Sequence, residues 1–136
     1  VSVYKGILVL ALLLSSVSFS QKLLSIRGET LSFEAAKKKF GTLDYSSESF
    51  KRAGLEQRSK MAASIVQQKS NFIGLDRTTI RKRLGDYSGF YVSGMYPTYL
   101  IQETSETINE AWQLVFLIDI NGKVSDVIIH KNCCND

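Results

Sequence analysis

The run Ala111-Trp-Gln-Leu-Val-Phe-Leu-Ile-Asp119 constrains this chain more than any other stretch. Aromatic, β-branched and aliphatic side chains follow one another with almost no polar interruption, which makes it the strongest strand in the chain. Asn121-Gly122 comes directly after it. Both residues tolerate positive φ, so the pair predicts a β-hairpin with Lys123 to Lys131 as the returning strand. Two registers remain open. A two-residue turn pairs Ile120 with Lys123, whereas a glycine bulge pairs Asp119 with Lys123 and shifts every later pair. A lone hairpin is marginal in water, so its apolar face needs cover from elsewhere in the chain.

The cover comes from upstream. Leu55, Ala62, Ile65 and Val66, with Met61 beside them, form one apolar stripe over Leu55 to Lys69, and glutamines and cations stand between. That spacing predicts an amphipathic helix, ended at Ser70-Asn71. Phe72 and Ile73 form an apolar connector, and Gly74 permits a turn. Asp76 then caps a second, shorter helix with Ile80 and Leu84 facing inward and Gly85 as its stop. Arg81, Lys82 and Arg83 fall in its last turn, where positive charge offsets the helix dipole. A glycine- and tyrosine-rich loop leads to a further strand at about 96–103, and the polar, acidic stretch 104–110 reads as a loop. The expected architecture is α+β: two helices packed on a three-stranded antiparallel sheet, burying Leu114, Phe116, Ile118, Ile65, Val66, Ile80 and Leu84 together.

The stretch 21–47 is weaker. Phe33, Lys37 and Phe40 share helical spacing, Thr30 or Ser32 can cap, and Gly41 can stop the helix. Gly41 to Ser49 is polar and serine-rich and reads as a linker. Residues 21–47 are thus expected as an N-terminal arm or extension, and 48–136 as the folded domain.

The N-terminus carries an address. Lys5 precedes an aliphatic run from Gly6 to Leu14, and Ser15 to Ser20 is mostly small and polar. A basic start, a short apolar segment and small residues at the exit predict a cleavable signal peptide over 1–20, cut near Ser20-Gln21. A membrane anchor is the weaker reading, because serines and then Lys22 interrupt the run before about 20 apolar residues accumulate. No Cys stands near residue 20 to take a lipid; the two cysteines are Cys133 and Cys134. The protein is therefore expected to be exported, periplasmic or secreted, with no integral span in the mature chain. A net charge of +4 spread along the chain makes no case for nucleic acid.

Few residues carry chemistry. His130, the sole histidine, lies close to Cys133 and Cys134, but His-Lys-Asn-Cys-Cys lacks the recurrent ligand spacing of a zinc site. Asp119-Ile-Asn-Gly-Lys lacks the ligands of a calcium loop. No catalytic set, metal or cofactor is expected. Adjacent cysteines sit about 3.8 Å apart at Cα, too close for an unstrained bond to each other. Free thiols, a strained ring and a bond to another chain all stay open for the Cys133-Cys134 tail, and the last would give a disulfide-linked dimer. Arg77, Arg81, Lys82 and Arg83 read as a solvated helix face. The best candidate for binding is the cluster Tyr87, Phe90, Tyr91, Tyr96 and Tyr99, because tyrosine buries area at little entropic cost.

Met61, Ile65-Val66, Phe72-Ile73-Gly74-Leu75-Asp76 and Ile80-Arg-Lys-Arg-Leu84-Gly85, followed by Trp112-x-Leu-x-Phe116 and Asp119-Ile-Asn-Gly-Lys-Val124, resemble the signature of small exported proteins of the SmpA/OmlA (BamE-like) group. The resemblance spans about residues 58–131. It implies two helices on a three-stranded antiparallel sheet, a fold shared with β-lactamase inhibitor protein, and a non-enzymatic role. This chain departs from the group in lacking a lipidated Cys and in having Asp86-Tyr87 where a Pro usually follows. The expectation is a non-enzymatic binding module for another envelope or extracellular protein. The alternatives are a carrier or enzyme with a pocket between helices and sheet lined by Tyr91, Tyr99 and Trp112, and a structural protein crosslinked through its tail.

Overall fold

The computed structural model describes residues 28–103 and 111–132. The expected signal peptide and cleavage point, residues 104–110 and the Cys133-Cys134 pair lie outside the described residues. Within them the order is β1 (Gly28–Leu31), α1 (Phe33–Phe40), α2 (Ser47–Arg52), α3 (Leu55–Gln67), a 3₁₀ turn (Lys69–Asn71), α4 (Arg77–Leu84), β2 (Thr98–Gln102), β3 (Trp112–Ile118) and β4 (Val124–Asn132). The strands form one antiparallel sheet in the order β1-β4-β3-β2.

The α+β class is as expected, but the count of elements is not: four helices and four strands stand where two and three were expected. The expected helix-helix-strand-strand-strand order survives as α3, α4, β2, β3 and β4. Beyond that order stand β1 and α2, which were not expected, and α1, whose helical spacing and Ser32 and Gly41 limits are as expected; all three are structural. Gly28 to Leu31 pairs residue by residue with Asn132 to Ile129. Ala36 and Phe40 of α1 are buried in the common core, with Leu31 and Phe33 packed against it. Residues 28–47 are therefore built into the same core as the rest, not appended to it. The expected linker 41–49 runs into α2, because Ser46 caps the helix: its hydroxyl accepts from the Ser49 amide at 3.1 Å, and Ser49 Oγ accepts in return from the Ser46 amide. Serines that read as loop composition are here helix-starting chemistry.

Alternation along the strands divides the sheet. Tyr99, Ile101, Trp112, Leu114, Phe116, Ile118, Val127 and Ile129 face the helices. Aromatic edges fill this layer, with Phe116 against Phe72 and Tyr99, and Phe50 against Tyr99 at 5.4 Å between ring centroids. The Tyr99 hydroxyl donates to the Gly85 carbonyl at 2.8 Å, satisfying the C-terminal end of α4. Burial raises the pKa of that phenol far above its ordinary value. Asp76 caps α4 as expected, accepting from the Thr79 amide at 2.8 Å. This hydrogen bond holds its carboxyl below the usual range.

The closing hairpin takes the bulged register. The Asp119 amide donates to the Lys123 carbonyl at 2.8 Å, Gly122 sits at φ +77°, and the pairing shifts between Leu117 and Ile118. A glycine is required there because a side chain at that φ would be strained. Leu55 departs from the helical stripe: it is 38 % exposed, while Met61, Ala62, Ala63 and Ile65 are buried. Its place against the start of the core is taken by Phe50 of α2, which is fully buried between Tyr99 and the Arg58 guanidinium, 4.6 Å from its ring.

Candidate functional site

The outer face of the sheet carries a polar row whose two inner members are buried. Thr30, His130 and Gln113 stand side by side on β1, β4 and β3, and His130 and Gln113 are each only 2 % exposed. Polar side chains are buried at a cost unless they are hydrogen-bonded, so something must cover and satisfy this row. The cover is the segment 86–97, which leaves the end of α4, rounds the free edge of β2 and crosses the outer face as a strap.

Hydrogen bonds at both margins fasten the strap. The Ser88 and Gly89 amides donate to the Thr98 carbonyl at 3.1 and 3.0 Å, and Ser88 Oγ accepts from the Leu100 amide at 2.9 Å. The outer edge of β2 is thereby paired. At the centre, Gln113 grips the backbone of Phe90 with its whole amide. Its Oε1 accepts from the Phe90 amide at 2.7 Å and its Nε2 donates to the Phe90 carbonyl at 2.8 Å. Asn132 Nδ2 donates to the same carbonyl at 3.1 Å. Gly89 permits this approach, since a Cβ there would overlap Gln113 Oε1. Beyond Phe90, the Tyr91 ring meets His130 edge-on at 4.9 Å and Tyr96 at 5.8 Å, and Thr30 Oγ1 lies 3.3 Å from His130 Nδ1. Burial raises the pKa of the Tyr91 phenol.

The strap then reverses over Tyr91-Val92-Ser93, where the Ser93 amide donates to the Tyr91 carbonyl and Val92 is held at φ +59°. A β-branched residue at positive φ is strained, and such strain persists only where the surroundings over-determine it. The turn drives Val92 into solvent at 75 % exposure, flanked by Phe90 at 59 % and Met95 at 56 %. Tyr87 to Gln102 contains no charged residue, so these three stand on an uncharged segment.

The five aromatic candidates therefore separate. Tyr99 is fully buried in the helix-facing core, Tyr91 is buried on the opposite face, and Tyr87 and Tyr96 are half-buried. The Tyr87 hydroxyl donates to the Arg77 carbonyl at 3.1 Å. Of the five, only Phe90 is exposed. Val92 and Met95 were missed, since periodicity carries no information in a loop and a strained turn leaves no compositional mark. Gln113 was missed too, hidden as one polar residue in an apolar strand. Tyr91, Tyr99 and Trp112 do not line one pocket: the sheet separates Tyr91 from the other two. Among the described residues no group of three or more His, Cys, Asp or Glu could hold a metal ion. No helix among them is long and apolar enough to cross a membrane.

The strap's rigidity is testable at Gln113. Gln113→Leu removes both bonds to Phe90 while keeping an apolar side chain under the strap. It is expected to cost about 1–3 kcal/mol, as for a buried hydrogen-bond partner lost. Hydrogen exchange should quicken selectively at the amides of residues 88–96, with β3 and β4 protected as before.

No family model matches this chain, and no curated protein or solved structure matches it.

Proposed function

We propose that this is an exported, non-enzymatic module that binds another envelope or extracellular protein through the apolar tip of the strap. The observation that carries the reading is the exposure of Phe90, Val92 and Met95 on a backbone clamped by Gln113. Large apolar side chains grouped in solvent on an uncharged segment favour contact with a partner. Aromatic and Met side chains are enriched at interface cores. A clamped backbone loses little entropy on docking, which favours affinity. Export rests on residues 1–20, and the helix-helix-strand-strand-strand order within 55–132 supports keeping the resemblance to SmpA/OmlA proteins as part of the proposal.

The test is a triple variant, Phe90→Ser, Val92→Ser and Met95→Ser, compared with the native protein in crosslinked capture from the exported fraction. Its melting temperature should stay within a few degrees, since exposed side chains contribute little to stability. A partner captured by the native chain should be lost. Equal recovery by the variant would sink the proposal. The mass of the exported form reads the export half independently, with Gln21 expected as the first residue.

A further inference from the structure

The chain has two methionines, and the fold treats them oppositely. Met61 lies in α3 at 1 % exposure, and the Ser49 hydroxyl donates to its sulfur at 3.6 Å. Met95 stands in the strap at 56 % exposure, beside the half-buried Tyr96. Its amide donates to Ser93 Oγ at 3.2 Å, which ties its backbone to the reversal at Val92. The Gln113 clamp on Phe90 fixes the segment just before that reversal. Met95 thus offers its thioether to solvent from a hydrogen-bonded backbone, on a segment with no charged residue between Tyr87 and Gln102.

Oxidation of a thioether follows access to its sulfur. With hydrogen peroxide the sulfur lone pair attacks one oxygen, the O–O bond breaks, an S–O bond forms and the other oxygen leaves as water. The sulfur gives up two electrons and the peroxide takes them. A flexible apolar side chain becomes a polar sulfoxide. At Met61 that change would place a new polar group inside the packed core, at a cost to the fold. At Met95 it leaves the core untouched and alters only the surface.

We propose that Met95 is a site of peroxide modification that switches the strap tip from apolar to polar without disturbing the fold. The consequence for a partner rests on the binding reading of the strap; the modification itself does not. Met95 shares the tip with Phe90 and Val92, so one added oxygen changes the character of the whole apolar group. A partner docked there would have to bury the sulfoxide without a hydrogen bond, which costs affinity. The export proposed above carries the tip out of the reducing cytoplasm. Methionine sulfoxide reductases, one for each epimer, reverse the change with a dithiol: the oxygen leaves as water and the dithiol closes to a disulfide.

The test exposes the folded protein, its thiols first capped with iodoacetamide, to hydrogen peroxide and maps its peptides by mass. The Met95 peptide should gain one oxygen at least about tenfold faster than the Met61 peptide, whose sulfur reaches solvent only when the core opens. The protein oxidised at Met95 should melt as before and elute earlier from a phenyl column. Sulfoxide reductases with dithiothreitol should restore its retention. In Met95→Leu, treatment should change neither the mass of the strap peptide nor the retention. Where the untreated protein captures a partner, oxidation should weaken that capture by roughly tenfold or more. Equal rates at the two methionines, a melting temperature that falls with Met95 oxidation, unchanged retention, or capture that survives oxidation would each overturn the proposal. A native chain that captures nothing would count against the strap as a binding surface, and mass and retention would still decide the modification.

Discussion

A chain that starts at Thr42, without β1 and α1, is expected not to fold. The truncation uncovers the Ile129 side of β4 and removes Ala36 and Phe40 from the common core. It also takes away the edge contact between Phe40 and Trp112, at 5.9 Å between centroids. Burying large apolar side chains contributes about 1.5–3 kcal/mol each, and a domain of this size retains only about 5–15 kcal/mol in total. Losing a sheet edge and a helix together removes most of that margin. Far-UV circular dichroism and amide proton dispersion check the result. A truncated chain that still melts cooperatively would show that the first two elements are accessory after all.

Phe50→Ala should be the most damaging single substitution considered, costing about 3–5 kcal/mol, as for other buried phenylalanines cut back to alanine. Phe50 is fully buried, packs edge-on against Tyr99 and forms the apolar wall on which the Arg58 guanidinium rests. The cavity would border both, and Arg58, whose pKa burial already lowers, would lose the nearer of its two cation–π partners. At this size the melting temperature should fall by roughly 10–20 °C. Leu55→Ala is the informative companion. Helical periodicity makes Leu55 core and leaves Phe50 without a place, whereas the packing makes Phe50 core and Leu55 surface. The companion should lose no more than about 0.5–1 kcal/mol. A reversal of the two values, measured by urea unfolding, would restore the periodic reading.

That pair of residues shows where the sequence was legible. The long signals held: the Trp112–Ile118 strand, the Asn121-Gly122 hairpin, and the Asp76 and Gly85 limits of α4. Each rests on local chemistry that tertiary packing had no reason to override. The short elements were illegible. Gly28–Leu31 is four residues long, too few to display a period, and its partner Asn132–Ile129 lies at the other end of the chain. Ser47–Arg52 offers one apolar residue, Phe50, in six. The candidate surface was legible in its place and not in its residues. Composition pointed to the tyrosine-rich segment, but only the sheet decides which rings it covers, so four of five aromatics turned inward or half inward while Val92 and Met95 turned out.

The pairing of β1 with β4 also sets a timetable. Thr30 and His130 are neighbours in space and a hundred residues apart in sequence. At about 5–20 residues per second of synthesis, roughly 5–20 s separate the making of one from the making of the other. Until β4 exists, β1 has no strand to join and the inner face of the sheet has no edge. A chain so arranged stays open through most of its synthesis. Pairing at so large a separation in sequence slows this final closure.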